Sequence, residues 1–202
     1  MKAEIAFVGD VHGTLSALRG LHDVLARRGG PHTVFLGDYI NKGAESAEVM
    51  QELLAYSRAG RATLLLGNHE ASLLHALDTG DLAAFLKMGG AMTIRSYVGA
   101  NVGPDALLDF RASFPTEHLD AIRRMPDTYE SADVIAQHTS PSESTPKFRI
   151  SAHLPVGTLP RIGHRSAQLD TGCGTHAGRL TALLWPSLAY VQVDAQGAVL
   201  TR

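Results

Sequence analysis

The chain has 202 residues, 45% of them hydrophobic and 19% charged, with a formal net charge of −2. That is enough apolar material to bury one globular core. The near-neutral balance, without a basic block, argues against a nucleic acid held through its phosphates, and no run reaches the roughly 20 apolar residues of a membrane-spanning helix. The single cysteine, Cys173, leaves no internal disulfide framework. The opening "MKAEIAFVGD" turns acidic too early for a signal peptide, so a reduced, cytoplasmic setting is the expectation.

In chain order, "AEIAFV" is a short apolar run ending at glycine and reads as a strand. "LSALRGLHDVLARR" then repeats apolar residues at helical spacing, with Arg27 and Arg28 at the end that favours cations, and Gly29, Gly30 and Pro31 stop it. "HTVFL" is a second strand, "AESAEVMQELLAYSRA" a second helix and "ATLLL" a third strand. This alternation predicts a parallel or mixed sheet with crossover helices. "PDALLDFRASFPTEHLDAIRRM" reads as two short amphipathic helices broken at Pro115. The whole of 1–202 is expected to form one domain, with a helical segment around 69–126 capping the site.

The three strands end in "GDVHG", "GDYINKG" and "GNHE". Asp10 and His12, Asp38, and Asn68 and His69 therefore fall just past strand carboxyl ends, the rim where open α/β sheets bind ligands. Glycine before each polar group lets the backbone turn sharply and a ligand approach. Oxygen and imidazole without thiolate suit manganese, iron or zinc better than copper. The sequence has neither GxGxxG nor GxxxxGK[ST], which argues against a Rossmann or P-loop nucleotide domain. Of the ten histidines, His22, His32, His75, His118 and His176 lie in helical or turn contexts without partners at ligand spacing and read as structural.

Together the three corners resemble the signature of the calcineurin-like metallophosphoesterases, in particular the phosphoprotein phosphatase family and its bacterial and phage members. "FLKMGGAMTIRSYVG" resembles the segment of bacterial members in which a double glycine precedes a threonine and a serine-tyrosine. "QLDTGCGTHAGRLTAL" resembles their late strand-turn-strand, so the resemblance spans nearly the whole chain. It implies an α/β (α+β) four-layer fold, a central β-sandwich flanked by helices, around two divalent metals, manganese first, with iron or zinc as alternatives. It further implies Asp10 and His12 on the first metal, Asp38 bridging both, Asn68 on the second, and His69 as the general acid. Water activated between the two ions would attack phosphorus directly, without a phosphoenzyme.

The same resemblance asks for two later histidines. His138, at the end of "DVIAQH", is one. For the other, "RIGHRS" offers His164 and "ISAHLPVG" offers His153; the proline two residues on and the spacing to Asp170 favour His153. The pattern departs from the family in three places. Asn41 and Lys42 stand where protein phosphatases usually carry aspartate and arginine. Asparagine should hold His69 less firmly as an imidazolium, and lysine binds phosphate as a point charge without the bidentate fork. The short "TSPSESTPKFRI" replaces a long segment that carries a second phosphate-binding arginine, for which Lys147 or Arg149 could substitute. Thr139 and Ser140 replace alanine and glycine after the first late histidine.

Expected phosphate contacts are thus Lys42, Asn68 and Arg149. The leading expectation is a phosphatase of phosphoserine, phosphothreonine or phosphotyrosine in proteins. The alternatives are a dinucleoside polyphosphate hydrolase and an inactive metal- or phosphate-binding module. Partners are a phosphoprotein or a small phosphoester, with no nucleic acid and no membrane. Cys173 lacks a paired base and is not expected to be a nucleophile, while Tyr39 is equally consistent with packing and with substrate contact.

Overall fold

A computed structural model describes residues 4–99, 102–142 and 144–200. Its first half follows the alternation expected from sequence: β1 (Ile5–Val8), α1 (Leu15–Arg27), β2 (His32–Phe35), α2 (Ser46–Arg58) and β3 (Ala62–Leu64). Strand β1 pairs parallel with β2, and β2 with β3. The late strands β9 (Arg179–Trp185) and β10 (Ala189–Asp194) complete the sheet antiparallel on the other side of β1, giving the order β10-β9-β1-β2-β3. The sheet is therefore mixed.

Being central, β1 is apolar on both faces. Ala6 and Val8 face the helices, whereas Phe7 points the other way, into the space between two sheets. The helix-side core takes Leu18, Leu21 and Leu25 of α1 and Val49, Met50 and Leu53 of α2, the stripe that helical spacing predicts. Beyond β3 the described residues form five helices before returning to strand: α3 (Asn68–Thr79), α4 (Ala83–Lys87), α5 (Gly90–Val98), α6 (Ala106–Ser113) and α7 (Thr116–Arg123). Pro115 separates α6 from α7, and Phe85, Phe110 and Phe114 tie this region into the helix-side core.

The second sheet has the order β4-β5-β6-β8-β7, from β4 (Thr128–Glu130), β5 (Val134–Gln137), β6 (Phe148–Ser151), β7 (Arg161–Ile162) and β8 (Ser166–Gln168). Strands β5, β6 and β8 run parallel. Val134, Ala136, Ile150 and Ala167 pack against Phe7, Val34, Leu36 and Leu183 of the first sheet. This inter-sheet core sets the distance between the carboxyl ends of β1, β2 and β3 and those of β5 and β6. Truncating its largest member, Phe7, to alanine would cost about 3–5 kcal/mol. Among the described residues no helix is long and apolar enough to cross a membrane.

Candidate metal centre

The loop after β1 and the loop after β2 are stitched together by main chain. The amides of Val11 and His12 both donate to the Asp38 carbonyl, at 3.0 and 2.9 Å, and Gly13 N donates to the Tyr39 carbonyl at 2.7 Å. The loop after β3 is tied in by Glu70, whose carboxylate accepts from the amides of Asp38 (2.9 Å), Tyr39 (2.8 Å), Ile40 (3.3 Å) and Gly67 (3.2 Å). Burial, then the Asp38 charge, pushes Glu70 up to about 7, against the pull of those amides. Gly67 is required here, because a Cβ would lie 2.2 Å from Asp38 N and 2.3 Å from Asp38 Oδ1. The "GNHE" motif by itself assigns Glu70 no role; the signal that points to one is its position three residues after the corner glycine.

On this frame the polar groups converge. His12 Nε2 lies 3.4 Å from Asp10 Oδ2 and 3.9 Å from Asp38 Oδ2, and His69 Nε2 lies 3.6 Å from Asp38 Oδ2. On the other side, His138 Nε2 is 3.3 Å from Asp38 Oδ1 and 2.7 Å from Asn68 Oδ1, which also meets His153 Nδ1 at 2.8 Å. Asp38 is the shared member of two groups with metal-ligand geometry, His12–Asp38–His69 and Asp38–His138–His153. His153 N also donates to Asp10 Oδ1 at 3.3 Å. Among the described residues, five of the six non-glycine positive φ angles belong to His12 (47°), Asp38 (56°), Asn41 (71°), Lys42 (58°) and His153 (67°), with Leu188 the sixth. Such backbone persists only where surrounding contacts over-determine it.

The donor set fits divalent metal. His12 Nδ1 and His138 Nδ1 each lie 3.0 Å from a backbone carbonyl, of Ile40 and Leu36. Each Nδ1 therefore carries hydrogen, and each Nε2 is turned toward the carboxylates, the arrangement expected of metal-ligating histidines. Burial pulls His138 down, but the Asp38 hydrogen bond and charge outweigh it and hold the imidazole up, at about 9. Burial likewise pushes Asp38 up, and His138, His69 and His12 override it to hold the carboxyl at about 2. A proton on His138 and the Lys42 ammonium, 2.6 Å from His12 Nε2, supply positive charge to the two sides of Asp38. Metal loading would displace that proton.

Asn41 is fixed beside His69. Its amide nitrogen sits 2.7 Å from His69 Nδ1, and its oxygen accepts from the Thr93 hydroxyl at 2.7 Å. Thr93 Oγ1 in turn accepts from Asn41 N at 2.9 Å and lies 3.1 Å from Ser46 Oγ. Burial, above all, lowers His69 to about 4, with the Asp38 charge opposing. The ring is therefore neutral, and its Nδ1 is an acceptor.

The remaining expected residues fall in different places. His164 is exposed, and His153 joins the cluster in its stead. Arg149 lines a polar cavity of about 180 Å³ with Ser140, Pro141, Ser151, Ser166 and Gln168. It is on the face of β6 opposite Ile150, which points into the inter-sheet core, so the structure does not bring Arg149 to the His and Asp groups. Lys147 pairs with Glu130 at 2.7 Å and with the Ser131 carbonyl at 2.6 Å, a strand-edge role. Tyr39 is fully buried and its hydroxyl donates to the Leu65 carbonyl at 2.7 Å, which makes it a packing residue. Cys173 is buried and pushed up to about 12 by desolvation, which makes it a poor nucleophile. His22 stacks on Tyr56, His32 meets Thr63 Oγ1, and His118 meets the Tyr97 hydroxyl, all away from the cluster.

The family of calcineurin-like phosphoesterases matches residues 3–190. The chain belongs to that family. As a member it is a metallophosphoesterase, a hydrolase of phosphoric esters, and the family's dinuclear divalent centre has its counterpart in the two groups that share Asp38. Among its relatives, the asymmetrical bis(5'-nucleosyl)-tetraphosphatase PrpE of Halalkalibacterium halodurans is 25% identical over 94% of this chain and 93% of its own. The serine/threonine-protein phosphatase BSL2 of Arabidopsis thaliana is 34% identical, but over 44% of this chain and only 10% of its own length. Among solved structures, a candidate diadenosine tetraphosphatase superposes with a TM-score of 0.68 at 19% identity, covering 95% of this chain and 93% of that one. This last likeness is one of fold.

Proposed function

We propose that this metallophosphoesterase hydrolyses phosphoanhydrides of the dinucleoside polyphosphate class, in place of the phosphoprotein substrate that led the expectations from sequence. Two findings favour the change. The relative similar over nearly its full length is named as a bis(5'-nucleosyl)-tetraphosphatase, whereas the protein phosphatase is similar over a small part of its own length. The observation that carries the reading is the Asn41 amide nitrogen 2.7 Å from His69 Nδ1. A carboxylate at that position would stabilise an imidazolium; an amide donor leaves His69 neutral with its hydrogen on Nε2.

A neutral imidazole is a weak acid. It can donate a hydrogen bond to a departing oxygen, yet it delivers a proton poorly to a serine or threonine alkoxide, a strongly basic leaving group. A nucleoside phosphate departs as a stable anion and needs only the hydrogen bond. In this reading Asp10, His12, Asp38, Asn68, His138 and His153 hold two divalent ions, which when bound would supply the nucleophile from water and a clamp on the phosphoryl oxygens. His69 Nε2 faces the leaving oxygen. Lys42, beside His12, neutralises phosphate charge as a point cation. The open cleft lined by Leu66, Gly67, Asn68, Ala71, Asp127, Gln137, His138 and Thr139 gives access from the second side.

The test offers one manganese-loaded preparation a phosphopeptide panel and diadenosine tetraphosphate side by side at pH 7 to 8. Faster nucleotide release supports the reading; faster phosphate release from phosphopeptides returns the protein to the protein phosphatases.

A further inference from the structure

Thr93 lies on α5, in the second half of the double-glycine segment, and the scheme above gives it no part. It is fully buried, as are Asn41 and Ser46. Their three polar side chains form a closed set whose proton positions can be worked out by counting donors. The Asn41 backbone N–H points at Thr93 Oγ1 (2.9 Å) and at Ser46 Oγ (3.2 Å). With Ser46 donating to Thr93 and Thr93 donating to Asn41 Oδ1 (3.1 and 2.7 Å), both hydroxyl protons have acceptors, and the Asn41 NH₂ is left to face His69 Nδ1.

The flipped amide fails this count. Its NH₂ would turn on Thr93 Oγ1, whose lone pairs would then be filled by that group and by the backbone N–H. Thr93 would have to donate to Ser46, and the Ser46 proton would have no acceptor among the described hydrogen bonds. A buried donor without a partner forfeits its hydrogen bond to water with nothing in return, so this arrangement is disfavoured. The orientation of Asn41 is therefore set from α5.

The backbone places Thr93 for this purpose. Gly90 opens α5 in close contact with α4, where a Cβ would lie 2.5 Å from the Phe85 ring. At the other end of the contact, Ser96 accepts from Ala47 N at 2.8 Å and so pins α5 to the first turn of α2, one residue from Ser46.

We propose that Thr93 is a positioning residue: its hydroxyl holds the Asn41 amide so that His69 is kept as the tautomer with hydrogen on Nε2, directed at the reacting group. The hydrogen-bond count stands on these distances alone; its consequence for anhydride substrates rests on the reading above. Without the hydroxyl, as in Thr93→Val, either amide orientation is tolerated, and the flipped one invites hydrogen onto Nδ1 and removes the donor from Nε2.

The test is nitrogen-15 NMR of the His69 ring in metal-free protein near pH 7.5, for the wild type, Thr93→Val and Thr93→Ser, together with steady-state kinetics of the metal-loaded forms. The wild type should show a neutral ring protonated at Nε2. Thr93→Val should shift the signature toward Nδ1 protonation and lower kcat about tenfold with KM within about twofold, and Thr93→Ser should restore both. Protonation at Nδ1 in the wild type overturns the proposal whether or not any variant folds. So does a Thr93→Val ring that keeps the wild-type signature, or a Thr93→Ser variant that folds but rescues neither readout. If diadenosine tetraphosphate proves not to be a substrate, the kinetic arm runs on an aryl phosphate. That outcome sinks the substrate reading while leaving the ring measurement to decide on Thr93.

Discussion

The two sides of the centre meet at Asp38 but are held by different means. The first-sheet side is over-determined. Two amides converge on the Asp38 carbonyl, Glu70 gathers four more from the second and third loops, and Asn41 is held by the Thr93 and Ser46 hydroxyls. The second-sheet side rests on single histidines. His138 is oriented by the Leu36 carbonyl, and half-buried His153 by the Asn68 side chain and its own amide on Asp10. Local chain therefore builds a rigid half-site, and packing between the sheets completes it. The first side should fail by losing structure or chemistry outright, the second by losing ligand affinity while the fold stands.

The sharpest way to break this comparison is at the shared residue. Asp38→Asn should lower turnover on the order of a thousandfold and abolish tight binding at both positions, read by metal content after dialysis and by initial rates. Retention of one full equivalent would mean that the two sides are independent. Next comes Glu70→Ala, which leaves four buried or partly buried amides seeking partners. It should lower unfolding free energy by about 3 kcal/mol or more in urea titration, whereas His153→Asn should leave the midpoint within about 1 kcal/mol.

His153→Asn should instead weaken the second metal about 10–100-fold by calorimetry, and His164→Asn, at the exposed position, should leave it unchanged. Equal effects would return His164 to the site.

A smaller effect concerns pH. In metal-free protein His138 is raised to about 9 because the Asp38 hydrogen bond and charge exceed its burial penalty. A raised folded value means that the stabilisation is fully present below the unfolded value near 6.5 and is lost as pH rises through about 9. Thermal midpoints should fall across that window, and His138→Asn should flatten the slope. Asp38, held at about 2, behaves in the opposite sense, its contribution being lost as pH falls from about 4 toward 2. Smallest of all, Arg149→Ala should change kcat/KM less than about twofold, since its side chain lines the cavity on the second sheet. A tenfold loss would restore it as a phosphate contact.

The first-sheet half of the centre was legible because each strand, its corner glycine and its polar residues are contiguous in sequence. Alternation and helical spacing locate β1, β2, β3, α1 and α2 to within a few residues. His138 and His153 were legible only through family resemblance, since a histidine after an apolar run carries little local signal. Arg149 shows what sequence leaves undecided: strand alternation predicts that neighbours point to opposite faces, but only the packing of Ile150 into the inter-sheet core decides which face is which.

Residue order by itself thus determined the first five elements, the two short helices around Pro115, the three glycine corners and the chemistry of their side chains, because these depend on short-range sterics and periodicity. Tertiary structure brought His153, already favoured over His164 by spacing, to Asp38, and it alone decided that Glu70 clamps the loops and that a hydroxyl 52 positions away from Asn41 orients its amide. Those outcomes depend on which distant segments are pressed together, and burial sets that through packing of whole faces, which no single stretch of sequence encodes.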